Sequence, residues 1–161
     1  MPPIQGGGEM ISKVTFEKTT YALPPAKFEA GTPAVAEVIG LGEAVRFVLS
    51  IGLEAIAKHE HELLTYLKSQ LSTINGLRFI GDTETQAGLQ SFVLEGIHAH
   101  DAGMIFDEEA IAVRTGHHCA QPVMDRFGVA ATIRASLGMY TTKDEIDRLI
   151  LAIHRVQKIF G

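Results

Sequence analysis

The sequence predicts an α+β domain, in which short strands form a small and largely antiparallel sheet covered by helices on one face. Three observations carry this. Long stretches at residues 53–71 and 142–160 repeat apolar residues at helical spacing. Short apolar runs at Leu77–Ile80, Leu89–Leu94, Ala110–Val113 and Ala131–Leu137 read as strands. Gly- and Asn-rich punctuation separates them. Residues 1–52 differ in character and read as the tail of a larger neighbour, whereas 53–161 can form a compact domain.

From the start, the triple glycine Gly6-Gly7-Gly8 precedes a strand-like run, Met10–Phe16, that has no earlier element to pair with. Pro24-Pro25 follows, then Phe28-Glu29-Ala30-Gly31-Thr32-Pro33, which places Thr32 at a helix entry. From Ala34 to Ser50, Val35, Val38, Ile39, Leu41, Val45, Val48 and Leu49 predict a largely buried helix, broken by Gly52. The next helix, Leu53–Leu71, sets Ile56, Leu63, Leu64 and Leu67 on one side and turns His59, Glu60, His61 and Glu62 mostly outward. Asn75-Gly76 ends it, and residues 81–88 read as a hairpin or longer turn between two strands. Asp101–Glu109 predicts a short helix with Asp101 as N-cap. Thr142-Lys143-Asp144-Glu145 is a reciprocal capping pattern that opens the last helix, whose apolar face is Ile146, Leu149, Ile150, Ile153, Val156 and Phe160.

Composition narrows the function. With 14 basic and 19 acidic residues, a net charge of −5 and no Lys/Arg cluster, nucleic acid is not an expected partner. No apolar run approaches the ~20 residues that a bilayer requires, and Met1–Gly6 lacks the blocks of a secretory signal, so no membrane partner and a cytoplasmic setting are expected. The single cysteine, Cys119, can form no intrachain disulfide and is expected to be a free thiol.

A lone cysteine is by default a small buried hydrophobe. Cys119, however, sits in Arg114-Thr115-Gly116-His117-His118-Cys119-Ala120-Gln121-Pro122, a polar stretch with the punctuation of an exposed loop. Arg114, His117 and His118 would make that loop electropositive, a setting that favours the nucleophilic thiolate. A metal is not expected: consecutive His-His-Cys cannot easily converge on one tetrahedral ion, and the usual ligand spacings are absent, even with His98 and His100 nearby. Arg114 and Arg134 each lie at or beside a strand end among small and apolar neighbours. A buried arginine there needs an anion, and a ligand carboxylate and a structural ion pair serve equally well. Thr32, with Gly31 before it, could donate to a phosphate at a helix start or simply cap the helix.

The cysteine loop, with Gly6–Ile11, Phe28–Pro33 and Ile133-Arg134-Ala135-Ser136-Leu137, resembles group II (Suf-type) cysteine desulfurases, pyridoxal-phosphate enzymes of the class V aminotransferase family related to selenocysteine lyases. The resemblance runs through essentially the whole chain but covers only the C-terminal part of such an enzyme. It implies the small C-terminal domain of a fold-type I pyridoxal-phosphate transferase at 53–161, preceded at 1–52 by a remnant of the large cofactor domain. It also implies that Cys119 takes sulfur from a cysteine substrate, leaving an enzyme persulfide and alanine. Arg134 would hold the substrate carboxylate, with Arg114 at the site's edge and His117 and His118 supporting the thiol. Thr32 and Gly31 would meet the cofactor phosphate of the partner subunit, which implies a homodimer, and a further protein would accept the sulfur for iron-sulfur cluster assembly. None of Lys13, Lys18, Lys27, Lys58, Lys68, Lys143 or Lys158 matches the family's Schiff-base lysine, which is expected in a missing N-terminal region. The chain alone is therefore expected to be inactive, and a non-catalytic thiol or sulfur-carrier module is the alternative.

Overall fold

The computed structural model describes residues 1–161, which divide into two compact units, Met1–Ser50 and Ile51–Gly161. In the first unit, β1 (Ile11–Val14) and β2 (Thr19–Tyr21) form an antiparallel ladder with an irregularity between Ile11 and Lys13. The turn between them is closed by the Thr15 amide donating to the Lys18 carbonyl (2.9 Å) and the Lys18 amide donating to Thr15 Oγ1 (3.1 Å). The run read as one strand over Met10–Phe16 is thus shorter, and its partner is downstream. Three residues of β2 are too few to show alternation.

A turn of 3-10 helix, Ala26–Phe28, leads to α1 (Val35–Ile51). The expected burial of this helix is not observed: none of its residues is buried, and Val38, Ile39 and Leu41 are about two-thirds exposed, at 64%, 66% and 65%. Apolar periodicity records that a face is built to be covered. It does not record which chain supplies the cover.

The second unit runs α2 (Leu53–Leu71), β3 (Leu77–Ile80), β4 (Leu89–Leu94), α3 (Ala99–Glu108), β5 (Arg114–Gly116), α4 (Gln121–Phe127), β6 (Thr132–Ser136) and α5 (Lys143–Phe160). Its four strands lie in the order β3-β4-β6-β5, every pair antiparallel, as the predicted α+β class requires. Register puts Phe92 opposite Ile133 and Gln90 opposite Ala135, so these share one face, while Ser91 and Arg134 share the other. The first face carries the core. Leu63, Leu67 and Leu71 of α2, Ala102, Ile105 and Phe106 of α3, and Ile146, Leu149, Ile153 and Val156 of α5 pack there with Phe92, Leu94 and Ile133. Each buried Leu or Ile contributes about 1.5–3 kcal/mol, so this face fixes the sheet.

Several local expectations change. The N-cap of α3 is His98, whose Nδ1 accepts from the His100 amide (3.2 Å), and Asp101 instead lies in the first turn, where its charge suits the helix dipole. The strand expected at Ala110–Val113 begins where that run ends, because Ala110 adopts φ 56° and only Arg114–Gly116 reaches the ladder of β6. The helix α4 went unforeseen behind the polar loop, although Pro122 at its start and Gly128 in the left-handed conformation at its end are the usual helix punctuation. His59 is half-buried rather than solvated, with Nε2 3.1 Å from the Thr141 carbonyl. The capping box of α5 forms as predicted: the Glu145 amide donates to Thr142 Oγ1 (3.3 Å) and the Thr142 amide to Glu145 Oε2 (2.8 Å).

One close approach positions β5. A Cβ on Gly103 of α3 would stand 2.9 Å from Thr115 Cγ2, and the branched side chain has no flexible end to move. Gly103→Ala gains about 1 kcal/mol of helix propensity but overpacks at a cost of about 1–3 kcal/mol. The variant is expected to be less stable in urea by up to about 2 kcal/mol. Adding Thr115→Ser, which removes the offending methyl, should restore stability; a single variant more stable than the wild type would contradict the contact.

Candidate active site

The second face of the sheet carries Arg114, Arg134 and Thr132. In the β5-β6 ladder Arg114 pairs directly with Arg134, opposite the face of Thr115 and Ile133. Like charges directly opposed across strands destabilise the pair, by about 0.2–1 kcal/mol. Neither arginine belongs to an ion pair: the salt bridges are Arg46–Glu43, Lys68–Asp82 and Arg155 with Glu108 and Glu109. The structural ion pair considered from sequence is therefore not made. Arg134 Nε is in addition buried without a hydrogen-bond partner. An unpaired arginine with a buried, orphaned donor is suited to receive a carboxylate, although of the two arginines only Arg114 lines the hollow at Cys119.

Beyond β5 the chain turns sharply. Gly116 (φ 123°), His118 (φ 54°) and Cys119 (φ 59°) all have positive φ, and for the latter two this is an uncommon backbone state. The turn is closed by the Ala120 amide donating to the His117 carbonyl (3.0 Å), after which α4 begins. Its Met124 is buried outside the main core, and Arg78 donates to the Phe127 carbonyl (3.5 Å), which ties α4 back to β3. This winding presents Cys119 as an exposed free thiol, with Arg114 Nη2 3.6 Å from its Sγ. Non-glycine residues in the left-handed region concentrate at functional sites, where the surrounding structure holds them.

His117 is exposed, whereas His118 is half-buried with Nε2 2.8 Å from Thr132 Oγ1 of β6 and Nδ1 buried without a partner. Its pKa lies below the ordinary value of 6.5, first because burial disfavours the imidazolium and then because Arg134 and Arg114 repel it. Thr132, itself fully buried, is the site residue that the sequence did not single out. An apolar-flanked threonine in a strand carries no sign that a histidine 14 positions earlier will reach it.

Arg114, Thr115, His117, His118, Cys119, Gln121 and Pro122 line one open hollow. A separate cleft of about 350 Å³, between Ala110–Val113, Ser136-Leu137 and the start of α5, contains none of the candidate site residues. No group of three His, Cys, Asp or Glu side chains is placed to hold a metal ion. Gly31 and Thr32 belong to the first unit. Gly31 (φ 93°) donates its amide to the Gly8 carbonyl (2.9 Å), and a Cβ on Gly7 would meet the Gly31 nitrogen at 3.2 Å, so the triple glycine packs against this turn. Thr32 is exposed, and because α1 begins only at Val35 it does not cap that helix. This leaves its hydroxyl available to an outside acceptor.

Residues 1–149 match the family model described as aminotransferase class-V. A probable cysteine desulfurase of Xylella fastidiosa is 48% identical over 161 residues, which is all of this chain and 39% of that protein. A cysteine desulfurase of Synechococcus elongatus is 52% identical over 155 residues, 96% of this chain and 25% of the relative. The crystal structure of the Escherichia coli cysteine desulfurase CsdA, in its S-sulfonic acid form, superposes with a TM-score of 0.90 at 34% identity, covering 100% of this chain and 40% of that one. The chain thus spans about 39% of the length of the first of these relatives.

The repulsion between Arg114 and His118 gives a directional test. Arg114→Gln removes one positive neighbour of the imidazole and leaves its burial intact, so the His118 titration midpoint, followed by NMR of the ring protons, should rise toward 6.5. The same change relieves the Arg114–Arg134 pair and should raise the melting temperature at low salt, a gain that shrinks as salt screens the charges. A midpoint that falls, or stays fixed, would contradict this electrostatic arrangement.

Proposed function

We propose that this chain, which belongs to the aminotransferase class-V family, is the C-terminal, sulfur-accepting portion of a cysteine desulfurase. The observation that carries the reading is the juxtaposition of Cys119 Sγ with Arg114, itself paired across the ladder with Arg134. A nucleophile beside an arginine that has no ion-pair partner is what an α-amino acid bearing sulfur requires. Relatives named as cysteine desulfurases across the full length of this chain support it.

In this reading the Arg134 guanidinium holds the substrate carboxylate in two-point fashion, with Arg114 at the edge of the site, which turns the substrate sulfur toward the loop. The Cys119 thiolate then attacks that sulfur. A new S–S bond forms as the substrate C–S bond breaks, the bonding pair returns to carbon, and protonation there yields alanine beside a Cys119 persulfide. His117 and His118 support the thiol. Pyridoxal phosphate, when bound in the complete enzyme, supplies the electron withdrawal that makes the C–S bond labile. The residues present fit part of that requirement. Arg134 Nε lacks a partner, and Thr32 is exposed with its hydroxyl uncommitted, beside Gly31, for the phosphate. None of the residues lining the cysteine hollow is a lysine, and the chain spans 39% of the length of its relative, so in this reading the Schiff-base anchor is supplied by the rest of the complete enzyme.

On this view residues 1–52 are the tail of the cofactor domain and 53–161 the small domain. The working form is a cytoplasmic homodimer that passes sulfur to an acceptor protein for iron-sulfur assembly, and selenium in place of sulfur would use the same site. The missing lysine favours a second reading for the isolated chain, as a thiol module without turnover. An aldehyde-type visible absorbance on adding pyridoxal phosphate, unchanged from free cofactor, would mark that case.

The complete protein carrying Cys119→Ala should retain the cofactor's absorbance and lose protein-bound persulfide to background when given L-cysteine, measured by thiol-exchange labelling. Persulfide formed at the wild-type rate would overturn the assignment of Cys119.

A further inference from the structure

We propose that His118 is the positioning residue of the cysteine loop: as the neutral ring, and through its bond to Thr132 of β6, it holds Cys119 beside Arg114. This rests on the reading of Cys119 as the sulfur acceptor only for its purpose, since the geometry stands without it.

The loop has little else to hold it. Cys119 is exposed, His117 is exposed, and residues 118 and 119 both occupy the left-handed region, a conformation whose cost is comparable to the worth of a hydrogen bond. Between the end of β5 at Gly116 and the start of α4 at Gln121, the side-chain bonds from the loop are His118 Nε2 to Thr132 Oγ1 (2.8 Å) and the contact of Cys119 Sγ with Arg114 (3.6 Å). The first reaches the centre of the sheet, because Thr132 is fully buried and pairs with Gly116 across the β5-β6 ladder. Removing it would leave the left-handed backbone at His118 and Cys119 without its tie to β6.

Loop closure also depends on charge, through burial and the neighbouring arginines, which outweigh the Thr132 backbone's preference for the protonated ring. His118 faces Arg134 on β6, Arg114 on β5, and His117 and Cys119 on its own loop, while Asp125 and Arg126 of the adjoining α4 are exposed to solvent. An imidazolium would stand half-buried among two guanidiniums, with Nδ1 buried and without an acceptor. The closed loop therefore favours neutral His118, whereas an open loop titrates it at the ordinary 6.5. The sign follows from linkage. Above 6.5 both states are neutral and closure is at full strength; as pH falls below 6.5 the open loop binds the proton first and closure weakens until the lowered pKa is passed.

Hydrogen exchange of the Ala120 amide, which the His117 carbonyl holds in the closed turn, reads this equilibrium in the chain itself. After correction for intrinsic rates, protection should be level above pH 6.5 and fall below it. Thr132→Val should lower protection about two- to tenfold, the worth of one hydrogen bond, and Thr132→Ser should restore it. His118→Gln should abolish the pH dependence. Protection indifferent to Thr132→Val, or a pH dependence that survives in His118→Gln, would overturn the proposal. The two ideas fail separately: exchange involves no sulfur chemistry, and the persulfide experiment does not read loop closure.

Discussion

The antiparallel pairing of β5 with β6 is the constraint on which the site depends. Three residues of β5 meet β6, and that short ladder sets Arg114 against Arg134, Thr115 against Ile133 and Gly116 against Thr132. Because faces alternate along a strand, one register decision sends Thr115 to the core face and both arginines to the opposite side. A slip by one residue would bury a guanidinium beneath α3. The core therefore guards the site's geometry: Thr115 lies against Gly103, and Ile133 is 1% exposed among the side chains of the main cluster.

From that ladder the rest of the site follows in sequence order. Gly116 ends β5 with φ 123°, which a side-chain-bearing residue could adopt only under strain, and the two left-handed residues after it bring Cys119 back beside Arg114. Thr132, opposite Gly116, receives His118. α4 then closes over the second face, with Met124 buried and its C-terminal carbonyl at Phe127 bonded to Arg78. Nucleophile, paired arginines and loop anchor thus come from two neighbouring strands and the turn that leaves one of them.

Much of this architecture is legible in the residues. Long amphipathic helices and the β3-β4 hairpin declare themselves because burial on one face forces a period on many positions, and the capping box at Thr142 and Glu145 declares itself because its chemistry is local. The polar loop around Cys119 is legible for the same reason. What stays hidden is decided at a distance. Residues 110–113 look like a strand, yet Ala110 turns with φ 56° and the pairing begins only at Arg114. The facing of Arg114 and Arg134, 20 positions apart, is a matter of register that no local pattern encodes. The exposed apolar face of α1 shows the same limit from the other side, since a periodic stripe specifies a need for cover without specifying its source.

The site also explains why this surface is energetically unfavourable on its own. Opposed arginines cost about 0.2–1 kcal/mol, and each left-handed non-glycine residue about 1–2 kcal/mol. Such terms are small against a core in which α2, α3 and α5 each bury several aliphatic side chains, so the fold tolerates them. They are comparable to the single hydrogen bonds that hold the loop. Strain and repulsion concentrated where the holding contacts are few make the cysteine loop the part of this unit most sensitive to what binds the arginines. An anion beside Arg114 and Arg134 would offset their repulsion and, by the same electrostatics, lessen the penalty for protonating His118.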